Sequence, residues 1–178
     1  MEWSDNEFDE LAAQLRDEVG SEFRLEAEAL EDDAAKLVLR RRTLEDIAVE
    51  LMNRGDEVGA TGAGMTISGV ITHAAGDLAI IETSHSTVSV NLAGPIYLRV
   101  VRRARAGGRG RANGSPSYRS RMLELEMSGE LVEIVSPLSS DPLVGTISVV
   151  GVDHVVVIDR DQLEQYVPLS AVAFTLQR

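Results

Sequence analysis

The fold is decided by a stretch that this chain carries twice, Gly-Val-Ile-Thr at residues 69–72 and Gly-Thr-Ile-Ser at residues 145–148. Further segments match in the same order, residues 77–81 with 153–157 and residues 90–93 with 167–170. The distance between matching segments changes little, so the length differences fall in hairpin loops, where insertions are tolerated. The sequence therefore predicts an internal repeat of one small domain.

Each repeat has the pattern of a short helix followed by five short strands. Apolar and polar residues alternate through the strand segments, and Gly, Asp, Asn and Ser separate them. Gly55 ends the first helix and Gly129 ends the second, which covers residues 118–128. A repeat of about 60 residues has little core of its own, and closing its strands into a barrel would remove exposed edges.

We therefore predict a mainly β protein with an α-helical N-terminal arm and two tandem five-stranded small barrels, each preceded by a helix. The predicted parts are an acidic helical arm at residues 1–43, a first barrel with its helix at 44–103, an arginine- and glycine-rich linker at 104–117, and a second barrel with its helix at 118–178. Two barrels packed on each other or on the arm would bury more apolar area than one alone.

The repeat resembles the Sm/LSm small-barrel superfamily over residues 44–103 and 118–178. The resemblance lies in the short helix, the five strands, the Gly-x-apolar start of the second strand and the Val-x-Leu-x-Gly turn before the last strand. The tandem arrangement behind an acidic arm is also similar to actinobacterial LSm-like proteins, and other SH3-like barrels share the general plan. The resemblance implies Sm-like barrels that form rings and bind single-stranded RNA.

The residues with which Sm repeats typically contact RNA are missing at the matching positions. The family's motifs place there an acid, an asparagine and an Arg-Gly pair, whereas this chain has Ala75, Ala79 and Ala93-Gly94 in the first repeat and Gly151, Val155 and Ser170-Ala171 in the second. Single-strand binding needs cations for phosphates and flat groups for bases. We therefore expect the usual uridine pocket to be absent from both repeats.

Charge is distributed unevenly along the chain. The net charge is −12, yet residues 99–121 hold eight arginines and no acid. Such a segment can bind nucleic acid, neutralise acidic parts of the same or a neighbouring chain, or bind an acidic protein, and these three interpretations stay open. The candidate nucleic-acid contacts are Arg102, Arg103, Arg105, Arg109, Arg111, Arg119 and Arg121.

The arm carries a second association signal. Apolar residues recur at an interval of seven, which is typical of a coiled-coil seam, and the candidate self-association residues are Phe23, Leu30, Leu37, Leu44 and Leu51. Alternatively, the arm folds onto its own domain, and Thr43 is the N-cap of a separate helix that ends at Gly55.

Residue types that carry catalysis or bind metals are sparse. The chain has no cysteine, and none of its three histidines, His73, His85 and His154, has a second histidine at metal-ligand spacing. It has neither a P-loop nor a nucleophile elbow. We therefore expect no catalytic, cofactor-binding or metal-binding residues, no small-molecule substrate and no enzyme activity.

Membrane and export signals are also missing from the sequence. No apolar run reaches the length of a membrane span, the acidic N-terminus is unlike a secretory signal, and the lack of cysteine fits a cytoplasmic protein. The sequence therefore favours a non-enzymatic intracellular interaction or scaffold protein, which associates with protein partners or with itself through its repeats and arm. The alternative is an RNA- or DNA-associated regulator that binds through the arginine-rich linker.

Overall fold

The structure, a computed structural model, describes residues 30, 33, 36–108 and 114–177. The chain divides into two units, Met1–Arg42 and Thr43–Arg178. In the first unit, residues 30, 33 and 36–41 are helical. The predicted helical arm at residues 1–43 has no support beyond these residues, and Phe23 lies outside the described part of the chain.

The described residues of the second unit form ten strands and two α-helices. In chain order they are α1 (Leu44–Arg54), β1 (Glu57–Gly62), β2 (Met65–Ala75), β3 (Leu78–Glu82), β4 (Thr87–Asn91), β5 (Ile96–Arg102), α2 (Tyr118–Ser128), β6 (Leu131–Val135), β7 (Leu143–Val150), β8 (His154–Asp159), β9 (Glu164–Pro168), a 3₁₀ turn (Leu169–Ala171) and β10 (Phe174–Gln177).

Local sequence sets the ends of both helices. Thr43 caps α1 through a capping box, in which its amide donates to the Asp46 carboxylate at 2.8 Å and its hydroxyl accepts from the Asp46 amide at 3.2 Å. Ser117 caps α2 with its hydroxyl alone, which accepts from the Ser120 amide at 3.1 Å. Gly55 and Gly129, with φ of 73° and 64°, end the two helices in the left-handed conformation that favours glycine.

All ten strands form one open antiparallel sheet, in the order β5-β1-β2-β3-β4-β10-β6-β7-β8-β9. The prediction of two closed five-stranded barrels is therefore wrong. We call α1 to β5 the first half and α2 to β10 the second half. Strand β10 pairs on one side with β6 of the second half and on the other side with β4 of the first half, which is why the predicted barrels do not form. The edge of β4 is thus covered by the other half of the chain, and no barrel closes within a half.

Strand order is the same in the two halves. The order is β5-β1-β2-β3-β4 in the first half and β10-β6-β7-β8-β9 in the second half, so that each half has its fifth strand first and its fourth strand last. The pairing of β4 with β10, which we call the inner joint, connects them. The two halves follow each other in the same direction along the sheet. One end of the sheet is therefore β5, the fifth strand of the first half, and the other end is β9, the fourth strand of the second half.

Gly69 and Gly145 show why the repeated stretch begins with glycine. A Cβ at Gly69 would lie 2.2 Å from the carbonyl oxygen of Glu82, and a Cβ at Gly145 would lie 2.2 Å from that of Ile158. The neighbouring strand therefore approaches too closely for any side chain. The same close approach occurs at the same place in each half.

The hydrophobic core consists of two clusters, one for each half, and each contains residues from the other half. Val135, Ala173 and Phe174 of the second half are buried in the first cluster. Leu78 of the first half is buried in the second cluster. Buried apolar area is the main stabilising contribution to folding, so this exchange makes the halves depend on each other.

Candidate association site

The arginine-rich segment starts on β5 and continues along a cleft at the end of the sheet. Arg102, Arg103 and Arg105 are exposed and line an open cleft of about 370 Å³ together with Glu57 and other residues. Arg102 pairs with Glu57 at 3.0 Å. Arg103 and Arg105 form no ion pair with another described residue, and the charge of Arg103 contributes to the lowered pKa of Asp56. Arg109 and Arg111 lie outside the described residues.

Arg119 and Arg121 are separated from this cleft and are used within the fold. Arg119 Nε donates to the carbonyl oxygen of Gly151 at 2.8 Å. Arg121 pairs with Glu124 at 2.8 Å and is mostly buried. The structure therefore does not bring these two arginines together with Arg102, Arg103 and Arg105. Their location on α2, which packs against β7, is the reason.

The described ends of the linker are anchored to the first half. The Ala104 amide donates to Asp56 Oδ1 at 2.8 Å, and the Gly108 amide donates to the carbonyl oxygen of Asn53 at 2.8 Å. The Ala104 amide and then the Arg54 guanidinium lower the pKa of Asp56, against the opposing effect of burial. The basic segment therefore begins from a fixed position beside β5.

The other end of the linker is held by two contacts with the turn region of β2 and β3. His73 Nε2 lies 2.8 Å from the carbonyl oxygen of Ser115, and the Tyr118 amide donates to Asp77 Oδ1 at 2.6 Å. Only residues 109–113 between these anchors lie outside the described part.

The leucines with the seven-residue spacing do not form one continuous stripe. Leu51 is buried in the first core cluster and Leu44 packs against it. Leu30 and Leu37 lie in the first unit and are exposed, by 71% and 54%. The Thr43 capping box starts a new helix and so interrupts the spacing. Leu44 and Leu51 are therefore used within their own domain.

Within the described part of the chain, β5 and β9 are the two edge strands of the sheet, and both carry exposed apolar residues. On β5, Tyr97 is 58% exposed, and Val100 and Val101 are exposed as well. On β9, Tyr166 is 64% exposed, and Leu163 is exposed just before the strand. An exposed edge strand presents free backbone groups to which another strand can pair. Sequence reasoning did not single out these edges, because it placed every strand in a closed barrel.

The two edges differ in charge. Arg99 and Arg102 lie on β5, and Arg103 and Arg105 follow them. The hairpin before β9 and the strand itself carry Asp159, Asp161 and Glu164, with only Arg160 as a base. The Leu163 amide is the main reason why the pKa of Asp159 lies below its usual range, so this carboxylate stays ionised. One end of the sheet is therefore basic and the other acidic.

A groove of about 180 Å³ lies beside β9 in the second half and is lined by Ile134, Ser136, Leu138, Ser139, Leu143, Gln165, Tyr166, Val167 and Pro168. The strand registers match Ile134 to Ala60 and Val167 to Val90 of the first half. Ala60 and Val90 are buried in the first core cluster together with Phe174. The groove therefore has a counterpart in the first half, and there the space is filled by Phe174 of β10.

A second cleft lies where the turns of the two halves meet at the inner joint. It is lined by Asp77, Asn91, Ala93, Tyr118, Arg119, Val152, Asp153, Leu169 and Ser170. Two carboxylates face this cleft, and its one arginine donates to a backbone carbonyl. Its composition therefore favours neither phosphates nor another anion.

Among the described residues, no group of three or more His, Cys, Asp or Glu side chains is placed to hold a metal ion. No described helix has the length and apolar character needed to cross a membrane.

Among known proteins, neither a family model nor a curated relative matches the chain. The resemblance to the Sm/LSm superfamily therefore stays a prediction.

Proposed function

We propose that the protein is a non-enzymatic association module of the cytoplasm that binds further copies of itself, by pairing the β9 edge of one copy with the β5 edge of the next. The observation that carries the proposal is the inner joint, where a fourth strand already pairs with a fifth strand inside the chain. The two edge strands, β9 and β5, are likewise the fourth strand of one half and the fifth strand of the other. Copies would follow one another head to tail, in a ring or a filament.

The inner joint supplies the expected register of this contact, which we call the outer joint. At the inner joint, Phe174 lies opposite Val90 and Thr175 lies opposite Ser89. Through the matching registers of both halves, Tyr97 of the next copy would lie opposite Val167, and its Leu98 opposite Tyr166.

Tyr97 has the position on β5 that Phe174 has on β10. Phe174 is fully buried in the first core cluster. In the outer joint, Tyr97 of the next copy would fill the groove beside Val167 as Phe174 fills its counterpart. Large aromatic anchors in fitted pockets contribute most of the binding energy at protein interfaces.

Charge complementarity supports the same pairing. With the expected register, Val100 of the next copy lies opposite Glu164, and Arg102 lies two residues farther along the same strand. Diagonal neighbours across two strands are about 7–8 Å apart, within reach of long side chains. The basic edge would therefore attract the acidic edge of another copy, and two like edges would repel each other.

Replacing Tyr97 with Ala tests the proposal, because it removes the anchor from an exposed position. We expect at least about tenfold weaker self-association of Tyr97→Ala, measured by sedimentation equilibrium, with an unchanged thermal unfolding curve. Tyr97→Phe keeps the ring and should associate like the original chain. A chain that stays monomeric over the measured concentrations, or equal association of Tyr97→Ala, would contradict the proposal.

Nucleic-acid binding is the second candidate, and the exposed positions of Arg103 and Arg105 along one cleft favour it. We expect an unstructured oligonucleotide to bind with an affinity that falls steeply with salt, and Arg103→Ser/Arg105→Ser to lose most of this binding in fluorescence anisotropy. Arg160→Ser removes one exposed arginine at the acidic edge and serves as the control. Unchanged binding of the double variant would exclude this segment as the contact.

A further inference from the structure

The inner joint is closed by Asn91, which is buried at the end of β4. Its backbone N–H donates to the carbonyl oxygen of Ala173 at 3.1 Å. Its side-chain Nδ2 donates to the carbonyl oxygens of Leu169 at 2.8 Å and Val172 at 3.0 Å. Its Oδ1 accepts from the Ala93 amide at 3.1 Å, which fixes the side chain in place. Three hydrogen bonds from one residue therefore cross from the first half to the second.

Gly94 makes this arrangement sterically feasible. A Cβ at Gly94 would lie 2.2 Å from the carbonyl oxygen of Val172 and 3.0 Å from Nδ2 of Asn91. A contact of 2.2 Å with a backbone atom requires the backbone to move. Any residue larger than glycine would therefore separate the two halves at the point where Asn91 binds Val172.

Pro168 and Ala171 occupy the matching positions in the second half. The match follows from the strand registers, since β9 pairs with β8 as β4 pairs with β3. Proline has neither a backbone N–H nor a side-chain amide, so Pro168 supplies none of the three hydrogen bonds that Asn91 supplies. Ala171 has the Cβ for which there is no room at Gly94. Both residues lie at the exposed edge of the sheet.

We infer that Pro168 and Ala171 limit the strength of the outer joint, so that copies of this chain associate reversibly while the inner joint stays closed. The inference rests on the proposed self-association and concerns its control. The outer joint retains the strand pairing up to Val167 and the contact of Tyr97 with the groove. It lacks the three hydrogen bonds that Asn91 makes at the end of the inner joint. Proline at an edge strand is a common means of restricting edge-to-edge pairing.

The variant Pro168→Asn/Ala171→Gly tests the inference because it gives the outer edge both features of the inner joint. We expect its self-association, measured by sedimentation equilibrium, to be at least about tenfold tighter than that of the original chain, since three hydrogen bonds are added and one clash is removed. Ser170→Asn is the matched control. It places an asparagine in the same turn, at the position of Ala93, and should leave association unchanged.

Pro168→Ala and Ala171→Gly separate the two contributions and guard against misfolding of the double variant. Pro168→Ala restores the backbone N–H alone, and Ala171→Gly removes the clash alone, so each should tighten association in part. Equal association of all these variants and the original chain would overturn the inference.

This experiment also distinguishes the inference from the proposed function. If the original chain is monomeric and Pro168→Asn/Ala171→Gly forms oligomers that Tyr97→Ala abolishes, the two residues do control the edge, and the proposed function of the original chain fails. If the original chain associates through Tyr97 and the double variant associates equally, the proposed function stands and the inference fails.

Discussion

Reversing the charge of one sheet edge should abolish most self-association, and reversing both edges should restore it. Arg99→Glu/Arg102→Glu makes β5 acidic, and Asp161→Lys/Glu164→Lys makes the β9 edge basic. Either change alone places like charges on the two strands of the outer joint, and like-charge juxtaposition at an interface costs several kcal/mol. We expect each double variant to associate at least about 100-fold more weakly, and the chain with all four changes to recover, in sedimentation equilibrium at low salt.

Mixing the two charge-reversed variants gives an independent check that association depends on opposite charges at the two strands of the joint. In the mixture, the acidic β5 edge of one variant meets the basic β9 edge of the other, and the unchanged edges also complement each other. Two variants that are each monomeric should therefore associate with one another. An interface that pairs identical edges is excluded by the variants that reverse one edge instead, because reversing one edge there leaves like charges facing each other as in the original chain, so association would not weaken.

Controls for net charge use residues of the first unit, which contributes no strand to the described sheet. Lys36→Glu changes one base to an acid, half of the charge change in the β5 variant, and Asp33→Lys changes one acid to a base, half of the charge change in the β9 variant. Both side chains are exposed. Neither change should alter association beyond the small effect of net charge. Association that follows net charge alone, or a mixture that stays monomeric, would contradict the outer joint.

The sequence was sufficient to predict the local structure of the second unit. The predicted helix at residues 118–128 is confirmed as α2, and Gly55 and Gly129 end the two helices as expected. These features depend on residues that are close in sequence, such as Thr43 and Asp46, which together form the capping box of α1. The mainly β composition is confirmed because alternation of apolar and polar residues reports strands directly.

Strand partners were less predictable, and the error at β10 shows why. Alternation states which face of a strand is buried but does not state which strand lies at each edge. Phe174 and Ala173 have the apolar character of core residues in either arrangement, and only the structure shows that they enter the core of the first half. A closed barrel and an open sheet joined by β10 satisfy the same local pattern.

The candidate site was predictable only in part for a similar reason. The clustering of arginines in sequence indicated the basic region, and Arg102, Arg103 and Arg105 lie together along one cleft. Arg119 and Arg121 are close to them in sequence, but α2 directs them to Gly151 and Glu124. Charge patterns give no information on whether an arginine has a partner within the fold.

Truncating Phe174 to Ala should destabilise the whole of the second unit. Phe174 belongs to the second half, yet it is fully buried in the core of the first, and removing a buried Phe side chain typically costs about 3–5 kcal/mol. Since domains are stable by only about 5–15 kcal/mol, this is a large part of the total. We expect the urea midpoint to fall strongly, in a single transition that circular dichroism and Tyr fluorescence report together.

Tyr97→Ala is the matched control for Phe174→Ala, because Tyr97 has the same position in the first half and is exposed. At a concentration where the chain is monomeric, this variant should change the free energy of unfolding by no more than about 0.5 kcal/mol. The comparison separates the two joints: one aromatic residue stabilises the fold, and its counterpart stabilises only an assembly. Two separate unfolding transitions in Phe174→Ala, one for each half, would show that the inner joint is dispensable for folding and would contradict this assignment.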